Sequence, residues 1–231
     1  MKQEKMMING IPAIMWGESS DRGYIYVHGK MSCKEFAETF ARIADEHGFQ
    51  TLSFDLPEHG ERTGTPVRCD VWNGIHDLDT IADYAFERWQ NVSLFACSLG
   101  AYFSLNAYGG RKLEKCLFKS PIVDMKWLVG NMMLWSGVTP EQLREQKEIA
   151  TPIDTLRWDY YSYILEHTDY RWDIPTSILY AGRDDLQPEE SVRGFALKHG
   201  CELTVSPDSL HSFMEEKDFP IVTEWVRAHI D

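Results

Sequence analysis

The chain has 231 residues, of which 43% are hydrophobic and 26% charged, as in an ordinary globular protein. Its formal net charge of −13 argues against nucleic acid or an anionic membrane surface as a partner and favours neutral or cationic small molecules. No run approaches the ~20 apolar residues of a membrane span, and no signal peptide is recognisable. The five scattered cysteines indicate free thiols, so we expect a cytoplasmic location.

Short β-rich runs alternate with helical patterns along most of the sequence. An Asn9-Gly10 turn between apolar runs predicts a hairpin near the N-terminus. Further strands are predicted over 23–27, 50–55, 91–96, 115–119, 177–181 and 203–206, and helices over 33–47, 75–89, 99–108, 189–199 and 219–230. This alternation is typical of an α/β protein with a mainly parallel sheet covered by helices.

The segment 124–173 departs from this alternation. It contains four tryptophans and four tyrosines, with helical spacing and no convincing strand. Because regular alternation resumes after it, we predict that 124–173 is an insertion between two strands of one sheet. The whole chain, 1–231, is then a single domain.

The strongest local signal is the run 96–100, Ala-Cys-Ser-Leu-Gly, where a predicted strand passes directly into a predicted helix. A tight strand-to-helix turn strains its central residue and admits only small residues two positions away, here Ala96 and Gly100. Ser98 is therefore a candidate nucleophile, although a serine that only caps a helix fits the same pattern.

A second turn follows an earlier strand, at His28-Gly29-Lys30. Glycine lets the chain turn sharply there and leaves the next backbone N–H pointing into the crevice. The backbone N–H groups of Lys30 and Leu99 are therefore predicted to form an oxyanion hole. The imidazole of His28 need not react and is expected to brace the neighbouring loops.

An acidic pair, Asp184-Asp185, follows Gly182 at the end of the 177–181 strand and precedes a helix that starts at Pro188. An acid at this edge can orient a histidine and stabilise its protonated form. We assign this role to Asp185 and a capping role to Asp184, although both could be caps.

Of the eight histidines, only His211 follows both the candidate serine and the candidate acid at a strand end. Ser98, Asp185 and His211 each lie just beyond a predicted strand, in the order serine, acid, histidine. Ligand sites of parallel sheets occur along that edge. We find no metal-ligand spacing among the histidines and expect no cofactor.

These motifs resemble those of the α/β-hydrolase superfamily over nearly the whole chain. The matching elements are His28-Gly29, the run 55–60, the Ser98 turn, Gly182-x-x-Asp185-x-x-Pro188 and Leu210-His211-Ser212. The resemblance implies a mostly parallel sheet of about eight strands with helices on both faces. It also implies that 124–173 forms a small helical lid and that Asp185 is the acid.

Two positions depart from the pattern of this superfamily. Ala96 stands where glycine is usual, and it is still small enough for the turn. Lys30 stands where many relatives have an apolar residue. Its backbone can still donate, and its side chain could instead recognise a charge on a substrate.

The residues and the resemblance predict a serine hydrolase of the esterase or lipase type. Ser98 would attack a carbonyl while His211 takes its proton and Asp185 holds the imidazole, and water would release the acyl-enzyme. The expected substrate is a small molecule, a carboxylic ester with a small to medium acyl group. Trp127, Met132 and Trp135 are predicted to line the acyl pocket, although most apolar residues of 124–173 would serve to pack it onto the body.

Two other functions fit the same residues. A peptidase, amidase or thioesterase could use the same triad, and Glu141, Glu145 or Asp159 could anchor a peptide terminus. A non-catalytic binding protein of this fold is disfavoured, because such proteins usually lack the serine or the histidine.

Overall fold

The computed structural model describes residues 1–231 and contains ten strands. They are β1 (Gln3–Ile8), β2 (Ile11–Trp16), β3 (Arg22–Val27), β4 (Gln50–Phe54), β5 (Asn91–Cys97), β6 (Cys116–Lys119), β7 (Glu148–Ala150), β8 (Thr155–Arg157), β9 (Thr176–Ala181) and β10 (Glu202–Ser206). Eight of them form one sheet in the order β1-β2-β4-β3-β5-β6-β9-β10.

Only the two strands at one side of this sheet break its parallel pairing. β1 and β2 form an antiparallel hairpin on the Asn9-Gly10 turn, and β2 is antiparallel to β4. Every other neighbouring pair in the large sheet is parallel. The predicted sheet of about eight mostly parallel strands is confirmed, and six carboxyl ends meet at one edge.

Eight α-helices accompany the strands, seven of them between strands and the last one after β10. They are α1 (Glu38–Glu46), α2 (Val71–Arg88), α3 (Leu99–Ala107), α4 (Met125–Trp135), α5 (Pro140–Gln146), α6 (Trp158–Glu166), α7 (Glu189–His199) and α8 (Asp218–His229). The helix predicted over 33–47 is two elements, because a 3-10 helix over Lys34–Ala37 precedes α1.

The sheet is covered on both faces. Side chains of α1 and α8 belong to a core of 18 buried residues on one face, and those of α2, α3 and α7 to a core of 41 on the other. Successive strand residues point to opposite faces, so Tyr24 and Tyr26 of β3 join the smaller core, while Ile25 and Val27 join the larger.

The segment 124–173 connects β6 to β9, which are neighbours in the sheet. It contains α4, α5 and α6, and also an antiparallel pair, β7 and β8. The prediction that it has no strand was therefore wrong. Strands of three residues are too short to give a readable alternation, and this pair is closed by a turn in which the Thr151 backbone N–H donates to the Asp154 carbonyl.

Candidate active site

Ser98 occupies the turn between β5 and α3. Its φ of +51° lies in the left-handed region that side chains rarely adopt. Close packing explains the glycine two residues later, because a Cβ on Gly100 would lie 2.4 Å from the carbonyl oxygen of His28. The strained serine is held in turn by its own N–H, which donates to the Lys119 carbonyl at 3.2 Å. The local sequence therefore fixes a serine in strained backbone at the sheet edge.

Three side chains form a continuous hydrogen-bonded line at this edge. The hydroxyl of Ser98 lies 2.9 Å from Nε2 of His211, and Nδ1 of His211 lies 2.7 Å from Oδ2 of Asp184. An Nδ1–H that donates to the carboxylate leaves a lone pair on Nε2 facing the serine hydroxyl. The Asp184 side chain is fully buried, and that of His211 is 13% exposed. This geometry suits a serine made nucleophilic by a histidine base.

The acid in contact with His211 is Asp184, so the sequence-based choice of Asp185 is corrected. A turn closed by the Asp184 N–H on the Ala181 carbonyl, at 3.0 Å, brings Asp184 against the histidine. Asp185 is exposed. The expected capping role also belongs to Asp184, because its Oδ1 accepts from the N–H groups of Leu186 and Gln187. One carboxylate thus both caps the loop and binds the imidazole.

The loop that holds His211 is fixed by a buried acid on α8. Oδ1 of Asp218 accepts from the Ser209 hydroxyl at 2.6 Å, and Oδ2 accepts from the Glu215 N–H at 3.1 Å. The hydroxyls of Ser206 and Ser209 are themselves 2.7 Å apart. These bonds lie on both sides of His211 in the sequence, so the loop that carries it is held independently of Asp184. The sequence gives no sign of this role for Asp218.

The backbone beside Ser98 supplies candidate oxyanion donors. A Cβ on Gly29 would lie 3.0 Å from the Cβ of Ser98, so glycine favours this close approach of the turn after β3. The N–H groups of Lys30 and Leu99 have no partner among the loop and turn backbone hydrogen bonds. Leu99 is also the first residue of α3, where an N–H has no intrahelical acceptor. Both donors are thus available beside the serine.

Solved structures of other proteins have the same architecture. A ferulic acid complex of Est1E from Butyrivibrio proteoclasticus matches with a TM-score of 0.77 and 17% identity, covering 98% of this chain and 97% of that one. Alpha/beta hydrolase domain-containing protein 10 from mouse matches with a TM-score of 0.76 and 16% identity, covering 100% and 99%. A Paleococcus ferrophilus monoacylglycerol lipase matches with a TM-score of 0.68 and 18% identity, covering 99% and 100%.

The chain has the α/β-hydrolase fold. No protein-family model matches its sequence, and no curated protein is a significant sequence match. The fold was nevertheless predictable, because several motifs at the strand ends resemble those of the superfamily. No helix combines the length and the apolar character that would let it cross a bilayer.

Within this α/β-hydrolase fold, two histidines connect the loop after β3 to the loop after β4. His28 is fully buried, and its Nε2 accepts from the Leu56 N–H at 3.0 Å while Nδ1 donates to the Gly29 carbonyl at 2.7 Å. Burial lowers the pKa of His28 to about 4, so its ring stays neutral. His59 makes the equivalent connection in the other direction, with its Nε2 accepting from the Met31 N–H at 3.1 Å. The expectation that His28 braces loops agrees with these bonds.

A buried ion pair reinforces the same two loops. The Lys34 ammonium lies 2.7 Å from Oδ2 of Asp55, and the two side chains are 1% and 0% exposed. Burial by itself would lower the pKa of Lys34, but hydrogen bonds to Asp55, Glu61 and Glu35 raise it above its ordinary value. Asp55 also accepts from the Lys34 N–H at 2.9 Å and the Glu61 N–H at 3.0 Å. A lysine within a helical pattern gives no sequence signal for such burial.

The side chain of Lys30 reaches a different partner. Its ammonium forms an ion pair with Asp154, in the turn between β7 and β8, and the two side chains are 45% and 43% exposed. Asp154 is oriented for this contact because its other oxygen, Oδ1, accepts from the Thr155 N–H at 2.8 Å. The pair therefore connects the turn after β3 to the segment 124–173.

The three predicted pocket residues all lie on α4. Trp127 and Met132 are half-buried, and Met132 packs against the larger core, whereas Trp135 is 50% exposed at the end of the helix. A cavity of about 320 Å³ opens between the start of α4, the end of α6 and α7. Neither the three α4 residues nor Ser98, Asp184 or His211 line it. It is therefore separate from the candidate active site.

Proposed function

We propose that this chain is a serine hydrolase that cleaves carboxylic esters with a small to medium acyl group through an acyl-enzyme on Ser98. The principal support is the hydrogen-bonded line from Ser98 through His211 to Asp184, with separations of 2.9 and 2.7 Å. A serine hydroxyl next to a histidine base that is itself oriented by a buried carboxylate is the arrangement of nucleophilic acyl transfer.

The reaction follows from the two hydrogen bonds of His211. As Ser98 Oγ bonds to the substrate carbonyl carbon, Nε2 of His211 takes the hydroxyl proton, and Asp184 stabilises the resulting imidazolium. The carbonyl oxygen becomes an oxyanion, which the Lys30 and Leu99 N–H groups bind. His211 then protonates the departing alcohol, leaving the acyl group on Ser98. Water then attacks that ester as His211 takes its proton, and His211 returns the proton to Ser98 Oγ when the carboxylic acid leaves.

Ester substrates are also consistent with the structural neighbours. One neighbour is named a monoacylglycerol lipase, and the Est1E structure has ferulic acid, a carboxylic acid, bound to it. At 18% and 17% identity, these likenesses support the fold of this chain and leave its substrate to experiment. Ester cleavage is the least demanding acyl transfer for such a site, so it is our first choice.

We assign the segment 124–173 to a lid over this site, within a single domain. Its ion pair between Asp154 and Lys30 supports this assignment, because Lys30 also supplies a candidate oxyanion N–H. Trp127, Met132 and Trp135 of α4 are proposed to form the wall that contacts the acyl group. Their half-buried or exposed surfaces leave apolar area for a substrate to cover.

The decisive experiment labels the folded protein with a fluorophosphonate probe and measures hydrolysis of nitrophenyl esters with acyl chains of increasing length. The unchanged chain should form an adduct on Ser98 and turn over the shorter esters. Ser98→Ala should lose labelling and reduce kcat by about 10⁴-fold or more. Ser177→Ala is the matched control. Ser177 lies at the end of β9 that is far from the candidate site, and its hydroxyl makes only a 3.5 Å contact with Glu202.

Two results would contradict this proposal. A folded chain that forms no adduct at Ser98 would favour a binding protein of this fold. Faster turnover of aminoacyl-naphthylamides or acyl thioesters than of nitrophenyl esters would replace the ester by an amide or a thioester.

A further inference from the structure

His59 lies directly behind the turn that presents the Lys30 N–H. Its Nε2 accepts from the backbone N–H of Met31, the next residue, at 3.1 Å. Its Nδ1 lies 2.8 Å from the Pro57 carbonyl, which has no proton to give, so Nδ1 must donate and Nε2 must accept. His59 is only 9% exposed. A neutral imidazole is therefore fixed between the loops after β3 and β4.

Met31 is strained and has little side-chain packing to hold it. Its φ is +61°, in the left-handed region, and its side chain is 92% exposed. A residue keeps such a conformation only when its surroundings enforce it. The hydrogen bond to His59 is the contact that restrains its backbone on the N–H side. The bond therefore determines how the peptide between Lys30 and Met31 is turned.

His59 is itself held in a rigid frame. It precedes Gly60, at φ +51°, where an added Cβ would lie 2.2 Å from a carboxylate oxygen of Asp55. The rings of His59 and His28 meet edge to face with centroids 5.2 Å apart. The imidazole therefore cannot follow the Met31 N–H if that turn relaxes.

We propose that His59 is a positioning residue of the oxyanion hole. It fixes the left-handed turn at Met31 and so directs the preceding N–H, that of Lys30, at the position where the oxyanion develops. This inference rests on the proposed hydrolase function. It predicts that His59 affects transition-state stabilisation and has little effect on substrate binding, because the oxyanion exists only during reaction.

The test compares His59→Phe with His59→Gln on a nitrophenyl butyrate substrate. Phenylalanine keeps the ring volume and removes the acceptor, whereas the glutamine amide oxygen can still accept from Met31. Loss of one oxyanion donor costs about 10²–10³-fold in kcat, so a displaced donor should cost about 10–100-fold, with KM changed less than about twofold. His59→Gln should recover most of this loss. His76→Gln, an exposed histidine on α2, is the matched control.

A second measurement separates positioning from folding. The affinity for a trifluoromethyl ketone, which forms an oxyanion on Ser98, should fall in proportion to kcat in His59→Phe, while the melting temperature changes little. If His59→Phe does not fold, His59→Ala takes its place with the same expected result. Replacement of Met31 by glycine, which adopts a positive φ without strain, should restore part of the lost kcat.

The outcomes distinguish this inference from the proposed function. An unchanged chain that cleaves no ester and takes no label on Ser98 overturns the hydrolase assignment. An active chain in which His59→Phe keeps its kcat overturns the role of His59 alone. The same is true if His59→Gln loses as much activity as His59→Phe, because the acceptor would then be irrelevant.

Discussion

The loops around Ser98 are held by a buried ion pair, whereas the segment 124–173 is held to them by an exposed one. Lys34 and Asp55, which join the loops after β3 and β4, are 1% and 0% exposed. Lys30 and Asp154, which join the turn after β3 to the segment, are 45% and 43% exposed. Breaking a buried pair typically costs about 3–5 kcal/mol, whereas an exposed pair contributes about 0–1 kcal/mol.

Under the proposed function, this difference matches two tasks of the site. The groups that meet the developing charges must be in place beforehand, and buried hydrogen bonds keep them there. The segment 124–173, if it is the proposed lid, is better attached by contacts that water can replace at little cost. The comparison predicts large effects on activity or stability for changes in the loops and small effects for changes in the connection to 124–173.

The largest effect is expected at the carboxylate that binds His211. Asp184→Asn removes the acceptor that fixes the imidazole tautomer and should lower kcat by about 10⁴-fold. Asp185→Asn, next to it and exposed, should leave kcat within about threefold. Steady-state kinetics on one nitrophenyl ester measures both. Equal losses in the two variants, or a larger loss in Asp185→Asn, would restore the acid implied by the superfamily pattern.

Removal of the buried ammonium should have the next largest effect, on stability. Lys34→Met leaves Asp55 buried and charged without its partner, which should lower the free energy of unfolding by about 3–5 kcal/mol. Urea unfolding followed by tryptophan fluorescence measures the loss. Lys126→Met, on an exposed lysine of α4, should change it by less than about 0.5 kcal/mol. A similar midpoint in both variants would contradict the importance of the buried pair.

The neutral imidazole of His28 should make the fold sensitive to acid. Its pKa is about 4 in the folded chain against 6.5 ordinarily, so the unfolded chain takes the proton first as the pH falls. Stability from this group is complete above about pH 6.5 and is lost towards pH 4, for a total of about 3 kcal/mol.

A comparison of two proteins at two pH values isolates the contribution of His28. Between pH 7.5 and pH 5 the unchanged chain should lose about 2 kcal/mol more than His28→Gln, which lacks the titrating group. Urea unfolding at each pH gives the four free energies. A difference between the two proteins that does not narrow as the pH falls would mean that His28 is not kept neutral by the fold.

The smallest effects are expected at the exposed pair. Asp154→Asn should lower the free energy of unfolding by less than about 1 kcal/mol, and added salt should abolish the difference. Lys30→Met keeps the backbone N–H and should change kcat on a neutral ester by less than about threefold. A kcat loss in Lys30→Met as large as that of Asp184→Asn would show that the ammonium itself takes part in the reaction.

Most elements of the sheet and the place of the serine could be predicted from sequence. Short β-rich runs between helical patterns indicated the strands. Small residues two positions before and after Ser98 indicated a tight turn, because such a turn admits few residue types at those positions. The helix predicted from residue 75 in fact begins at Val71, with Asp70 as its cap. The prediction started too late because a capping residue is a weaker sequence signal than apolar periodicity. The β7–β8 pair was missed because three-residue strands give too few positions for alternation to be recognised.

The sequence by itself determined the fold class and pointed to Ser98 and His211 as candidate residues, because these depend on local turns and on the order of strand ends. Only the tertiary structure decided between Asp184 and Asp185. The two acids are adjacent residues in one loop. The hydrogen bond from the Asp184 N–H to the Ala181 carbonyl sets the direction of each side chain, and the position of His211 decides which one it meets. Likewise, the burial of Lys34 and the bond from Met31 to His59 join loops that are distant in sequence. Local patterns contain no information about such contacts.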